Sequence, residues 1–245
     1  MSSLHRPVEA LARGLRILEV LSRSTGTMGN GQISRATGLP ASTVSRLTDS
    51  LVSLGYLRID PSSGAYTLTP KNLRLGYPLL ANLPFGGRVY KALDRLTEST
   101  GMTSALATDD DLHMAYVAVA RARHHDGVTL AVGGRLPIAV SAAGVAYVRA
   151  LPEPKRSRVI AAVSRDLRRR GQSVEEFEQR LEAPPSRHVV STGAWQEDIG
   201  GVATVVRAGG ELYALTLVVN LNEFDESRIE DVLPQLWDAA DAISD

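Results

Sequence analysis

The sequence predicts an α+β protein in two parts, an N-terminal winged helix-turn-helix joined by a linker helix to a larger α/β domain. Three observations predict it. Residues 31–70 read as helix, tight turn, second helix and β-hairpin. From Gly101 onward, short apolar β-type runs are interleaved with helical runs. The charge is also divided: nine Lys or Arg stand against four acids through Leu75, while the remainder holds 18 against 23, although the whole chain balances at 27 each. A basic head on an acidic body suits a phosphate-binding module attached to a part with other duties.

The first helix is expected over residues 8–22, with Leu11, Leu15, Leu18, Val20 and Leu21 packing behind the helix-turn-helix and Arg13 and Arg16 on the polar side. Residues 24–31 form a glycine-rich loop without the spacing of a nucleotide-phosphate cradle. A short helix over 32–37 is stopped by Gly38, and Gly38-Leu39-Pro40 is the tight turn. In residues 40–54, Val44, Leu47, Leu51 and Leu54 recur at helical spacing and should face a core, with Pro40 marking the helix start. The opposite face carries Ser42, Ser45, Arg46, Asp49 and Ser53. Short hydroxyl side chains let a backbone approach a major groove closely, and an arginine reaches guanine bidentately. After Gly55, runs 56–59 and 65–68 form a hairpin, the wing, and its tip places Ser62 and Ser63 where a phosphate would pass.

A linker helix over 71–82 contains Pro78, and Pro84 with Gly86-Gly87 punctuates the boundary before an amphipathic helix over 88–100 carrying Val89, Leu93 and Leu96. The domains are therefore 1–70, 71–87 and 88–245. Strands are expected at 103–108 and 114–120, joined across Asp109-Asp110-Asp111, and at 128–132, 201–206 and 212–219. Helices are expected at 142–151, 155–163, 174–181 and 226–243.

Composition narrows the function. The 245 residues are 44% hydrophobic and 22% charged, no apolar run approaches membrane-spanning length, and the first residues hold no signal-peptide core, so a cytoplasmic protein is expected. Without cysteine there are no disulfides, thiolate nucleophiles or cysteine-based metal sites. The acids at 109–111 read as a solvated turn, His124-His125-Asp126 as a loop, and the basic run 165–170 as solvated or subunit-facing surface; Arg135 reads as setting local structure. No metal and no cofactor are expected. No nucleophile elbow, zinc-protease motif, dinucleotide fingerprint or P-loop occurs, so catalysis is not expected. The alternative to a DNA-binding regulator is an interaction protein whose winged helix grips a protein partner.

Five motifs carry a resemblance: GLRILEVL in the first helix, ATGLPASTVSRLTDSLVSLGYL through the second helix, YTLTPKNLRLG after the wing, GGRLPIAVSAAGVAYV, and IGGVATVVRAGGELYALTLVV. Over essentially its whole length the chain resembles IclR-type transcriptional regulators. The resemblance implies a winged helix followed by a GAF-like effector-binding domain, assembly as homodimer or homotetramer, and a palindromic double-stranded DNA operator, with repression as the default. Ser42, Thr43, Ser45 and Arg46 fall where the family enters or flanks the groove; Gln32 and the wing serines Ser62 and Ser63 complete the expected DNA-binding set. The effector pocket then corresponds to Ala142, Ala143, Gly201, Ala203, Thr216 and Val218, with Leu106 and Asp198 as outlying candidates. This chain departs from the pattern where many members carry cysteine (Gly201), Pro-Val (Val205-Val206) and Ser-x-Ser (Thr216 and Val218). A small-lined, apolar pocket with Thr216 as polar anchor follows, which shifts weight from small keto acids toward an apolar or aromatic effector, an organic or aromatic acid among them, or toward a degenerate pocket.

Overall fold

The computed structural model describes residues 8–24, 26–84, 86–122, 130–184, 186–222 and 229–245, and the chain divides into two units, Met1–Asn82 and Leu83–Asp245. In the first, α1 (Glu9–Ser22), α2 (Asn30–Thr37) and α3 (Ala41–Ser53) enclose a core of Ile17, Leu21, Ile33, Val44 and Leu51, closed by Leu57 of the wing. Gly38 makes the turn between α2 and α3 at φ +69°, a conformation that suits a residue without Cβ. Pro40 is the residue before α3 rather than part of its first turn. The wing is β1 (Leu57–Ile59) paired antiparallel with β2 (Tyr66–Leu68), and Met28 bridges to Tyr66 beside it. A 3₁₀ turn, Pro70–Asn72, leads into α4 (Leu73–Ala81), which contains Pro78.

Two expectations for these helices are corrected. Leu54 is 58% exposed, and the fully buried Thr48 takes the inward position instead. A threonine is tolerated there because its Oγ1 donates to the Val44 and Ser45 carbonyls, both 3.0 Å away, so no polar group is stranded. On α1 the inner face is Gly14, Ile17 and Leu21, while Leu11 and Leu15 are exposed. Leu73, Leu75, Tyr77 and Leu79 of α4 are exposed as well. The helical spacing of these residues is real, but no described residue of the first unit covers them.

The second unit is built on a six-stranded antiparallel sheet. In chain order its elements are α5 (Gly87–Thr100), β3 (Thr103–Asp110), β4 (His113–Ala120), β5 (Arg135–Pro137), α6 (Ala142–Ala150), α7 (Lys155–Arg170), α8 (Glu175–Glu182), β6 (Val189–Thr192), β7 (Ile199–Ala208), β8 (Glu211–Asn220) and α9 (Ile229–Ile243). The spatial order is β5-β4-β3-β8-β7-β6. Strand alternation separates two faces. Ala105, Ala107, Ala203, Ala214 and Val218 share a core with α6, α7 and α8. Ser104 points the other way, its Oγ 2.8 Å from Thr97 Oγ1 and 3.0 Å from the Leu93 carbonyl of α5. Among the described residues no helix is long and apolar enough to cross a membrane.

Here too the expectations are adjusted. Residues 130–132 are not a strand; the edge strand is β5, while Leu130 packs into the core. The other edge, β6, was not expected, because four residues between loops give no periodicity to read. Helix α7 continues through the basic run to Arg170, where Asp166 holds Arg169 and Arg170. The three acids are not simply solvated: Asp109 and Asp110 end β3, Asp109 accepts from Tyr147 and pairs with Lys155, and Asp110 pairs with Arg135 at 2.6 Å. Arg135 thus ties β5 to the end of β3. His124-His125-Asp126, and positions 128–129 and 226–228, lie outside the described residues.

Candidate functional site: a recognition helix and a helix-capped cavity

In the head, the outward face of α3 presents Ser42, Arg46, Asp49 and Ser53 to solvent, and Arg46 has no ion-pair partner among the described residues. Its guanidinium is therefore available to an external acceptor. Thr43 and Ser45 are half-buried, and the Ser45 hydroxyl accepts from Asn30 Nδ2, which fixes α2 against α3. Gln32 closes the start of α2: its Oε1 accepts from the Gly29 amide at 2.8 Å, leaving the side-chain NH₂ as a donor. Sequence reasoning missed Asn30 because it put residues 24–31 in a loop, whereas α2 begins at Asn30.

The wing tip differs from expectation in its electrostatics. The Asp60 carboxylate accepts from the Ser62 amide at 2.9 Å, the Ser62 hydroxyl at 2.8 Å and the Ser63 hydroxyl at 3.1 Å. The Ser62 amide, then the two hydroxyls, hold Asp60 below the usual carboxylate range, with Arg58 helping. Both serines therefore spend their hydroxyl protons inside the turn, beside a fixed negative charge.

In the second unit, the segment before α6 is strapped down carbonyl by carbonyl. Ser141 Oγ donates to Pro137 at 2.9 Å and accepts from the Gly144 amide at 3.1 Å, capping α6; Arg180 holds the Ala139 carbonyl at 2.9 Å, and Ser191 Oγ holds that of Val140 at 2.8 Å. Gly144 is required for this approach, since a Cβ there would stand 2.4 Å from the Ile138 carbonyl oxygen. Farther along α6, burial first and then the Asp109 hydrogen bond push the Tyr147 phenol up, so it remains a donor. Lys155 Nζ lies 3.0 Å from the same hydroxyl.

A cavity of about 30 Å³ results, lined by Ala142, Ala143, Gly201, Thr216, Val218 and Trp195 among others. Five of the eight residues weighed for the effector pocket meet there. Ala203 lies in the core beside them without lining the cavity. Leu106 is a correction: alternation with Ala105 and Ala107 turns it, like Ser104, toward α5. Asp198 is exposed in the loop before β7 and does not line the cavity. Thr216 Oγ1 donates to the Val202 carbonyl at 3.2 Å, so toward a ligand it offers lone pairs and not its proton. The first-turn amides of Ala142 and Ala143 have no intrahelical acceptor, and such donors favour an anion. Trp195, in the loop between β6 and β7, was missed by sequence reasoning; with Val140 it also lines an adjoining cleft of about 140 Å³.

Comparison with known proteins places these two sites in context. The model of the IclR helix-turn-helix domain matches residues 10–61, and that of the bacterial transcriptional regulator IclR C-terminal matches residues 80–245. HTH-type transcriptional regulator TsaQ1/TsaQ2 of Comamonas testosteroni is 32% identical over 80% of this chain and 72% of its own length. Transcriptional repressor IclR of Escherichia coli (strain K12) is 26% identical over 62% of this chain, a match spanning 57% of that relative. Among solved structures, an IclR family transcriptional regulator from Brucella abortus superposes with TM-score 0.77 at 30% identity, covering 99% of this chain and 95% of the other. An IclR homolog from Microbacterium hydrocarbonoxydans complexed with 4-hydroxybenzoate shares the fold at TM-score 0.71 and 21% identity, covering 96% and 97%.

Proposed function

Because this chain belongs to the IclR family of bacterial transcriptional regulators, we propose that α3 is the element it lays in the major groove, with Arg46 reading a base edge. It is a DNA-binding transcriptional regulator with an effector-binding C-terminal domain. The reading rests on one observation above others: an exposed α3 face whose arginine has no ion-pair partner among the described residues. Ser42, Thr43 and Ser45 flank it at the groove floor and walls, and Gln32 brings its NH₂ to the backbone at the start of α2. The wing serines Ser62 and Ser63 reach a phosphate only by exchanging the Asp60 carboxylate for it, so their share of the affinity is small.

The protein acts as a homodimer or a pair of dimers, for which the exposed apolar residues of α1 and α4 are the natural seam. Two heads then read a palindrome whose half-sites lie about 10 bp apart or a multiple of that. Repression follows by occupancy of the site. On this reading residues 1–70 are the DNA-binding head, 71–87 the linker and 88–245 the effector-binding domain, and the protein works by binding, not by catalysis, among the soluble contents of the cell.

The effector is an organic acid, aromatic acids included, its carboxylate on the amides of Ala142 and Ala143 and its body against Gly201, Thr216 and Val218. The existing cavity of about 30 Å³ holds roughly one water. An aromatic ring enters only if Trp195 swings toward the adjoining cleft, and that displacement is how occupancy becomes a change of shape. An effector alters operator affinity only by binding the DNA-competent and incompetent forms unequally, typically by about 1–3 kcal/mol.

The test is selection of genomic DNA fragments by the purified full chain at two salt concentrations, with and without 4-hydroxybenzoate. Recovery of a palindromic site whose affinity falls steeply with salt is expected. Recovery of only non-specific, salt-labile DNA under every condition would overturn the reading.

A further inference from the structure

The cavity at the start of α6 has a counterpart at the other end of the same helix. A cleft of about 480 Å³ opens beside Arg149 in the last turn of α6, with Arg156 of α7 and Arg187, just ahead of β6, on its walls. The remaining lining is mainly apolar, including Ala146, Leu181 and Val205. Arg187 is already neutralised, paired with Asp241 and lying 5.7 Å from the Trp237 ring centroid. The other two are not: among the described residues no carboxylate is within ion-pair reach of Arg149 or Arg156.

Arg149 is the more telling of the pair. One of its terminal nitrogens donates to the Arg180 carbonyl, but its Nε is buried with no acceptor. Burial and the neighbouring Arg156 both lower the guanidinium's proton affinity, which says that the charge it feels most is another positive one. Two guanidinium groups facing one cleft, one carrying a stranded buried donor, are costly in a protein that could have placed a carboxylate between them. The cost is removed when a ligand brings the acceptors.

We propose that this cleft is a second ligand site, taking a small dianion of the phosphate monoester class. Its oxygens accept from Arg149 and Arg156, whose planar forks match a phosphate bidentately. Its organic part lies on Ala146, Leu181 and Val205. The site stands apart from the effector cavity and from the DNA-binding reading, and α6 joins the two cavities end to end.

The experiment is calorimetric titration of the full chain with phenyl phosphate in a phosphate-free buffer of fixed ionic strength, on the natural protein and on Arg149→Gln and Arg156→Gln. Arg156 is half-exposed and its side chain has no ion-pair partner among the described residues, so its variant is expected to keep the fold; an unchanged melting temperature verifies that. Saturable binding of one equivalent, weakened about tenfold or more in each variant, is expected. No saturable heat, or an affinity that both variants leave unchanged, would overturn the proposal.

Discussion

Replacing Gly144 with alanine tests whether the cavity is made by close approach of α6 to the strap before it. At an unconstrained helix position Gly→Ala stabilises by about 1 kcal/mol. Here the new Cβ would lie 2.4 Å from the Ile138 carbonyl oxygen, 2.5 Å from its Cα and 2.8 Å from its carbonyl carbon. Ordinary contact needs about 3.5 Å, so the backbone must move by roughly 1 Å. Neither side gives easily, because the Pro137 and Val140 carbonyls are pinned by Ser141 and Ser191. Overpacking costs about 1–3 kcal/mol, and three backbone atoms inside contact distance with both sides pinned put this case in the upper part, about 2–3 kcal/mol, which outweighs the helical gain and leaves a net loss of about 1–2 kcal/mol. For a domain of this size that lowers the melting temperature by roughly 2–8 °C. Both tryptophans, Trp195 and Trp237, lie in the second unit, so thermal unfolding followed by fluorescence reports on that unit alone. An unchanged or raised melting temperature would refute the close-approach argument.

Four further outcomes are expected. Ile17→Ala should remove about 2–5 kcal/mol from the head, abolishing operator binding while leaving the tryptophan-monitored unfolding of the second unit in place. Asp60→Asn should raise DNA affinity severalfold at low salt, an advantage that fades as salt screens the wing. Because its carboxyl is depressed in the folded protein, Asp60 stabilises the wing above its unfolded value and loses that contribution only as pH falls through the folded one; DNA affinity measured from pH 5 to 8 should therefore show no inflection from this group. Glutamate at both Leu11 and Leu79 should shift the protein toward monomer in sedimentation, since exposed apolar residues on α1 and α4 would no longer pair.

Helix α3 was legible because two independent signals agree there, an apolar stripe and a hydroxyl-rich face with one arginine. Its end was misread at Leu54 because periodicity continues past the point where the core stops, and Thr48 was missed because a hydroxyl that satisfies itself on its own helix looks like a surface residue. Leu11 and Leu15 were correctly placed on a helix, yet spacing alone does not tell a buried stripe from an exposed one. In the second unit the long central strands carry enough alternation to be read, whereas β5 and β6 are too short. Five cavity residues were recovered through resemblance, but Leu106 fell to strand alternation, which puts it on the α5 face. Trp195 was invisible because a loop residue has no period, and the pairing of Ser62 and Ser63 with Asp60 is a matter of turn geometry that composition does not encode.

The most direct measurement is equilibrium binding of the selected operator, and of single-base variants of it, by the natural protein and by Arg46→Ala. If α3 reads the groove as described, the variant loses about 1–3 kcal/mol on the intact operator and becomes indifferent to substitution at one position of each half-site. Equal affinity of the two proteins, with the same base preferences, would contradict the account.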